Sequence, residues 1–137
     1  MLMLGQYTFA GLLRGSPQTN AVNAALAPIG VHLGLLGDFV PMEKPGAFDE
    51  MALGLEVAWN LGAVPVINLM SGFSLSAVAD PKNAADWARA NLFYPLAAAI
   101  NGWAAKGGGR FLYLIPFPAM NGNWIPYGRT PDDFKES

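Results

Sequence analysis

The residues best suited to chemistry are gathered toward the end of the chain. Asn121, Asn123, Trp124 and Tyr127 lie within Arg110–Tyr127, RFLYLIPFPAMNGNWIPY. Amides donate and accept hydrogen bonds in one plane, and flat aromatic faces cover apolar ligand surface, so the combination suits binding. The residues before them, Phe111–Ile115, form an uncharged aromatic and branched run that reads as a strand buried on both faces. Asn121-Gly122 then signals a loop. A buried parallel strand leading into such a loop is how an α/β barrel builds a ligand site at its strand ends.

Other candidates stand at the ends of earlier strands. Asp38 and Phe39 close the second predicted strand, and Asp38 reads either as a ligand contact or as a loop cap. Tyr7 and Phe9, at the end of the first, either line a site or simply pack. Ser71-Gly72-Phe73-Ser74, after the third, either lines the cleft or, as the preferred reading, is a plain loop. His32 is the only histidine; it begins a strand at the face opposite the expected site and reads as a core or surface residue rather than a catalytic one. With no cysteine beside it, no transition-metal set forms, and no cofactor is expected. Glu43, Asp49, Glu50 and Glu56 fall in a loop or on a helix, where a solvated face is the default. The glycines at 107–109 precede a strand instead of following one, so they are not a phosphate loop.

The elements that must position these residues follow from composition and pattern. At 137 residues the chain fits one domain with a real core. Its hydrophobic fraction is 53% and its charged fraction 13%, about half the usual charged share. So few charges imply surface meant to be covered by more protein. A net charge of −2 leaves no footprint for nucleic acid or an anionic membrane. The N-terminus, MLMLGQYTFAGLLRG, has neither a basic start nor a small-residue cleavage pattern, so no signal peptide is expected. The charge-free run 57–79 is broken by Gly62, Pro65, Asn68 and Ser71-Gly72, which argues against a membrane span.

Met3–Phe9 is predicted as the first strand. Ser16-Pro17 starts a helix carrying Val22, Ala25, Leu26 and Ile29 at helical spacing, and Gly30 stops it. Val31–Phe39 is the second strand. Phe48, Met51, Ala52, Leu55 and Trp59 mark a second amphipathic helix, ended at Leu61-Gly62. Val64–Met70 is the third strand. Asp80-Pro81 opens a third helix that Pro95 kinks or divides before Lys106. The turn at 107–109 leads into the fourth strand, and Thr130-Pro131-Asp132-Asp133 starts a fourth helix. The alternation implies an α/β fold with four parallel strands joined by right-handed crossovers. An open flavodoxin-like sheet is a weaker alternative, since no phosphate-binding glycine loop follows the first strand.

Pro116–Gly128, PFPAMNGNWIPYG, resembles the fourth-strand motif of (β/α)8 glycoside hydrolases, most closely the family 26 β-mannanases. There, a Glu-x-Asn-Gly-x-Trp segment ends the fourth strand and its Glu is the acid/base. Met120-Asn121-Gly122-Asn123-Trp124 matches that pattern, whereas Ala119 occupies the position of the Glu. The match spans roughly a dozen residues. More loosely, the order of β-α units resembles the N-terminal half of such a barrel, four units long, whose nucleophile would belong to a seventh strand outside these residues.

The resemblance implies a β-linked oligo- or polysaccharide as the parent's substrate. Asn121 would orient a hydroxyl or a nucleophile, Trp124 and Tyr127 would stack on a pyranose ring, and Asp38, Phe39 and Tyr7 would add contacts. It also implies that the chain is inactive. A retaining glycosidase needs two carboxyl groups about 5–5.5 Å apart, one to protonate the leaving oxygen and one to attack the anomeric carbon. A methyl group at position 119 does neither. Ala119 is either a deliberate replacement or natural decay. A half-barrel would also leave strand edges open, so the expectation is self-association or pairing with a missing half. The rival expectation is a self-assembling or carbohydrate-binding scaffold without turnover.

Overall fold

The computed structural model describes residues 3–7, 24–70, 84–116 and 118. Its elements run β1 (Met3–Tyr7), a 3-10 turn (Ala27–Ile29), β2 (His32–Pro41), α1 (Ala47–Asn60), β3 (Val64–Met70), α2 (Ala84–Ala88), a π-helical turn (Arg89–Phe93), α3 (Tyr94–Ala104) and β4 (Tyr113–Pro116). The four strands form one sheet in the order β1-β2-β3-β4, every pair parallel. This is an α/β fold. A flavodoxin-like order would place β1 between its neighbours, so the sequential order rules out that alternative.

Strand alternation and register divide the sheet into two faces. Leu36, Asp38 and Val40 pair with Pro65, Ile67 and Leu69 on one face. On this face Leu36, Val40, Ile67 and Leu69 join Met51, Leu55 and Ala58 of α1 in a single buried cluster. Leu36, Leu55 and Ile67 expose 0% of their surface. Burying each such side chain contributes about 1.5–3 kcal/mol. The other face carries Gly37 and Phe39 beside Val66 and Asn68. Between β1 and β2 the register slips: Leu4 pairs with Leu33 but Gly5 with Leu35, leaving Gly34 as an extra residue in the second strand. The extra glycine forms a bulge in β2.

α1 ends as its sequence predicts. Gly62 adopts φ 75°, and Ala63 donates its N–H to the Ala58 carbonyl at 2.9 Å, which closes the helix in a left-handed cap. The division expected at Pro95 is present and takes a definite form. Pro95 has no N–H to give the preceding turn, and its ring crowds the carbonyl four residues back. The helix widens just before it, with the Tyr94 N–H donating to the Arg89 carbonyl. Asn91 Nδ2 bonds the Trp87 carbonyl at 2.8 Å within the same widened turn. Gly107, Gly108 and Gly109 all take positive φ, a run that only glycine adopts without strain, and turn the chain toward β4.

Two expectations are corrected. The second strand extends to Pro41, so Asp38 and Phe39 lie inside it and not at its end. The fourth strand was expected to be buried on both faces, yet Tyr113, Leu114, Ile115 and Pro116 are all exposed. Among the described residues β4 is the edge of the sheet and pairs with β3 alone. Apolar composition records a strand's capacity to be buried, whereas burial itself requires a neighbour. His32 is exposed at the start of β2, a surface histidine. The helix starts at Ser16, Asp80 and Thr130 lie outside the described residues.

Candidate functional site

In a parallel sheet with this register, the C-terminal ends of the strands come together. Pro41 pairs with Met70 and Leu69 with Pro116, so β2, β3 and β4 finish side by side. The Met42 N–H extends the contact by donating to the Met70 carbonyl at 2.9 Å. Tyr7 closes β1 in register with Gly37, which pairs with Val66, which pairs with Tyr113. One step nearer the strand ends, Phe39, Asn68 and Ile115 form the next row. These two rows occupy the face opposite α1 and constitute the candidate site.

Asn68 is its central polar residue. It is 4% exposed, and its Nδ2 donates to the Asp38 carbonyl at 3.1 Å. A buried amide held in this way has a fixed orientation, because a lost partner would cost about 1–3 kcal/mol. Sequence reading noted Asn68 only as an interruption in an apolar run. The signal that marks it is a single amide in VPVINLM, where a strand surrounded by protein would otherwise be apolar throughout.

Asp38 stands on the other face of the sheet. Register places it on the helix-covered face with Leu36, Val40 and Ile67, while Phe39 and Asn68 share the other face. Its Oδ1 accepts a hydrogen bond from the Phe39 N–H at 2.8 Å, and it is 4% exposed. Phe39 therefore lies on one face with Asn68, and Asp38 does not; Tyr7 pairs with Gly37 at the end of β1. Ala119, Asn121, Trp124 and Tyr127 lie outside the described residues; β4, which leads toward them, ends at Pro116.

A second polar cluster occupies the other end of the sheet, where β4 begins. Arg110 reaches Glu56 through two donors, Nη1 to Oε2 at 2.7 Å and Nη2 to Oε1 at 3.2 Å. Lys106 Nζ adds a contact to the same carboxylate at 2.9 Å. The guanidinium carbon lies 5.6 Å from the Trp59 ring centre and 5.5 Å from that of Trp103. Hydrogen bonds from Arg110 and then Lys106 hold the Glu56 carboxyl at a pKa of about 2. The Trp103 indole N–H is buried without a hydrogen-bond partner. Arg110 also donates Nε to the Gly107 carbonyl at 3.1 Å. With its fork committed to Glu56, the cluster works as a clamp between α1, α3 and the entry to β4. Glu56 was expected on a solvated face, and it is instead the anchor of this clamp.

Elsewhere, Lys44 pairs with Glu50 at 2.7 Å on the surface, and an open groove is lined by Phe48, Asp49, Pro95 and Ala99. Among the described residues no cluster of three histidine or acidic side chains could hold a metal, and no helix is long and apolar enough to cross a membrane. No family model, curated protein or solved structure matches the chain.

Proposed function

We propose that this chain is half of a (β/α)8 barrel derived from a β-mannanase-like glycoside hydrolase, and that it binds β-linked oligosaccharide without cleaving it. The observation that carries the reading is the pair Phe39 and Asn68, in register on one face near the C-terminal ends of parallel strands ordered β1-β2-β3-β4. The glycosidase-like stretch Pro116–Gly128 begins at the last residue of β4, at that same end. Barrel enzymes collect their sites at this end. In this reading Asn68 and Asn121 supply hydrogen bonds to sugar hydroxyls. Phe39, Trp124 and Tyr127 supply apolar cover for a ring.

Catalysis fails for a chemical reason. Cleavage with retention needs a proton donor and a nucleophile on opposite sides of the scissile bond. Ala119 stands where the resemblance requires the donor, and the nucleophile belongs to a strand outside these residues. Asp38 does not substitute for either, since its register position is on the face opposite Asn68.

Isothermal titration calorimetry with manno- and cello-oligosaccharides tests the reading, with chromatography of the same mixtures for products. Binding without products is expected, and absence of binding to either series overturns it. Introducing Ala119→Glu in a polypeptide that also supplies the C-terminal half of a barrel is expected to bring hydrolysis; an inert protein there counts against the ancestry. A non-catalytic assembly scaffold is the second reading, favoured by the exposed apolar side chains of β4. It predicts assembly with no oligosaccharide binding.

A further inference from the structure

We propose that a second copy of this chain completes the sheet, β4 of each copy pairing in parallel with β1 of the other to close an eight-stranded barrel. The proposal rests on the half-barrel reading above and names the partner that reading requires.

The first observation is the pair of open edges. Among the described residues β4 is bonded to β3 alone and β1 to β2 alone, and both run in the same direction within one sheet. An edge strand presents unpaired N–H and C=O groups to any strand that can match them. A parallel neighbour for β4 must present the edge that β1 leaves free. Pairing β4 with another β4 across a two-fold axis would instead set the strands antiparallel. Two copies related by a two-fold along the barrel axis form both β4–β1 seams at once and leave no edge. Eight strands is also the number at which a parallel barrel closes around an interior filled by side chains.

The second observation is what β4 exposes. Phe111, Tyr113, Leu114 and Ile115 are 52%, 56%, 42% and 37% exposed, four large apolar side chains within five residues. No charged residue interrupts Phe111–Pro116. Edge strands that stay solitary are commonly protected by charge, and this one carries none. The seam also bears on the site. Closure would bring the end of β1 of one copy beside the end of β4 of the other, so each candidate site would draw on both chains.

Light scattering coupled to gel filtration tests this on the purified chain. A particle of twice 14.5 kDa at micromolar concentration is expected. The paired substitution Tyr113→Lys and Leu114→Lys puts charge on the seam and spares the buried cluster; it is expected to yield a monomer with unchanged far-ultraviolet circular dichroism. Should that variant fail to fold, cysteine cross-linking gives an independent answer, since the chain has no cysteine of its own. Gln6→Cys combined with Leu114→Cys is expected to give intermolecular disulfides under oxidation. Leu114→Cys alone is expected to give none. A wild-type monomer, an open-ended polymer or cross-linking by Leu114→Cys alone overturns the proposal. None of these readouts involves sugar. A monomer that still binds oligosaccharide removes the dimer and spares the glycan reading, and a dimer that binds none does the reverse.

Discussion

Arg110 grips Glu56 with two parallel donors at 2.7 and 3.2 Å across 54 positions of sequence, and it does so between the rings of Trp59 and Trp103. The fork geometry is a property of a guanidinium that an ammonium lacks. This contact ties α1 to the segment that enters β4.

Arg110→Lys should therefore destabilise the fold although charge is kept. The loss of the bidentate bond predicts a measurable fall in stability. Urea unfolding followed by tryptophan fluorescence measures it. A variant as stable as the parent would show that the clamp is ornamental.

Acid should weaken the same clamp. The folded pKa of Glu56, about 2, lies below its ordinary value of 4.5. A depressed carboxyl stabilises the fold above the unfolded pKa, and that contribution is lost as pH falls through the folded one. Stability should therefore decline between about pH 4.5 and pH 2, and the decline should be smaller in Glu56→Gln. Thermal melts of both proteins across that interval decide the matter; parallel curves would remove Glu56 as a contributor.

Asn68→Ala removes the amide that donates to the Asp38 carbonyl from a buried position. The expected loss is about 1–3 kcal/mol, the range for stranding a buried polar group. Under the proposed function the same variant should also bind oligosaccharide at least about tenfold more weakly, equivalent to about 1.4 kcal/mol. Calorimetry at a temperature where the variant is folded separates the two effects. Unchanged affinity would leave Asn68 a purely architectural residue.

Trp124→Ala is expected to weaken oligosaccharide binding by about tenfold or more, since a flat aromatic face is the largest apolar contact the motif offers a sugar ring. Circular dichroism provides the folding control. Retained affinity would move the site away from the Pro116–Gly128 stretch.

Much of this architecture can be read directly from residue order, and the reason is local. β3 occupies Val64–Met70 as its apolar run predicts, because a short branched stretch between glycine-bearing breakers has few alternatives. α1 covers Ala47–Asn60 because Met51, Leu55 and Trp59 repeat at helical spacing and Gly62 supplies the left-handed stop. Pro95 announces the interruption of the third helix through its missing N–H, and the glycines at 107–109 announce the turn before β4.

Three matters depended on residues distant in sequence. Asp38 and Asn68 are both polar residues in apolar strands, yet only the pairing of Asp38 with Ile67 and of Phe39 with Asn68 sends them to opposite faces. The bulge at Gly34 has no counterpart in hydrophobic pattern, because it is a property of the partner strand's register. Phe111–Ile115 has the composition of a buried strand and the position of an edge. Chain order determined which segments become strands and helices, since capping, proline geometry and side-chain period act over a few residues. Tertiary structure alone decided which face each polar group meets and which apolar strand is left uncovered, since both follow from pairing across tens of residues.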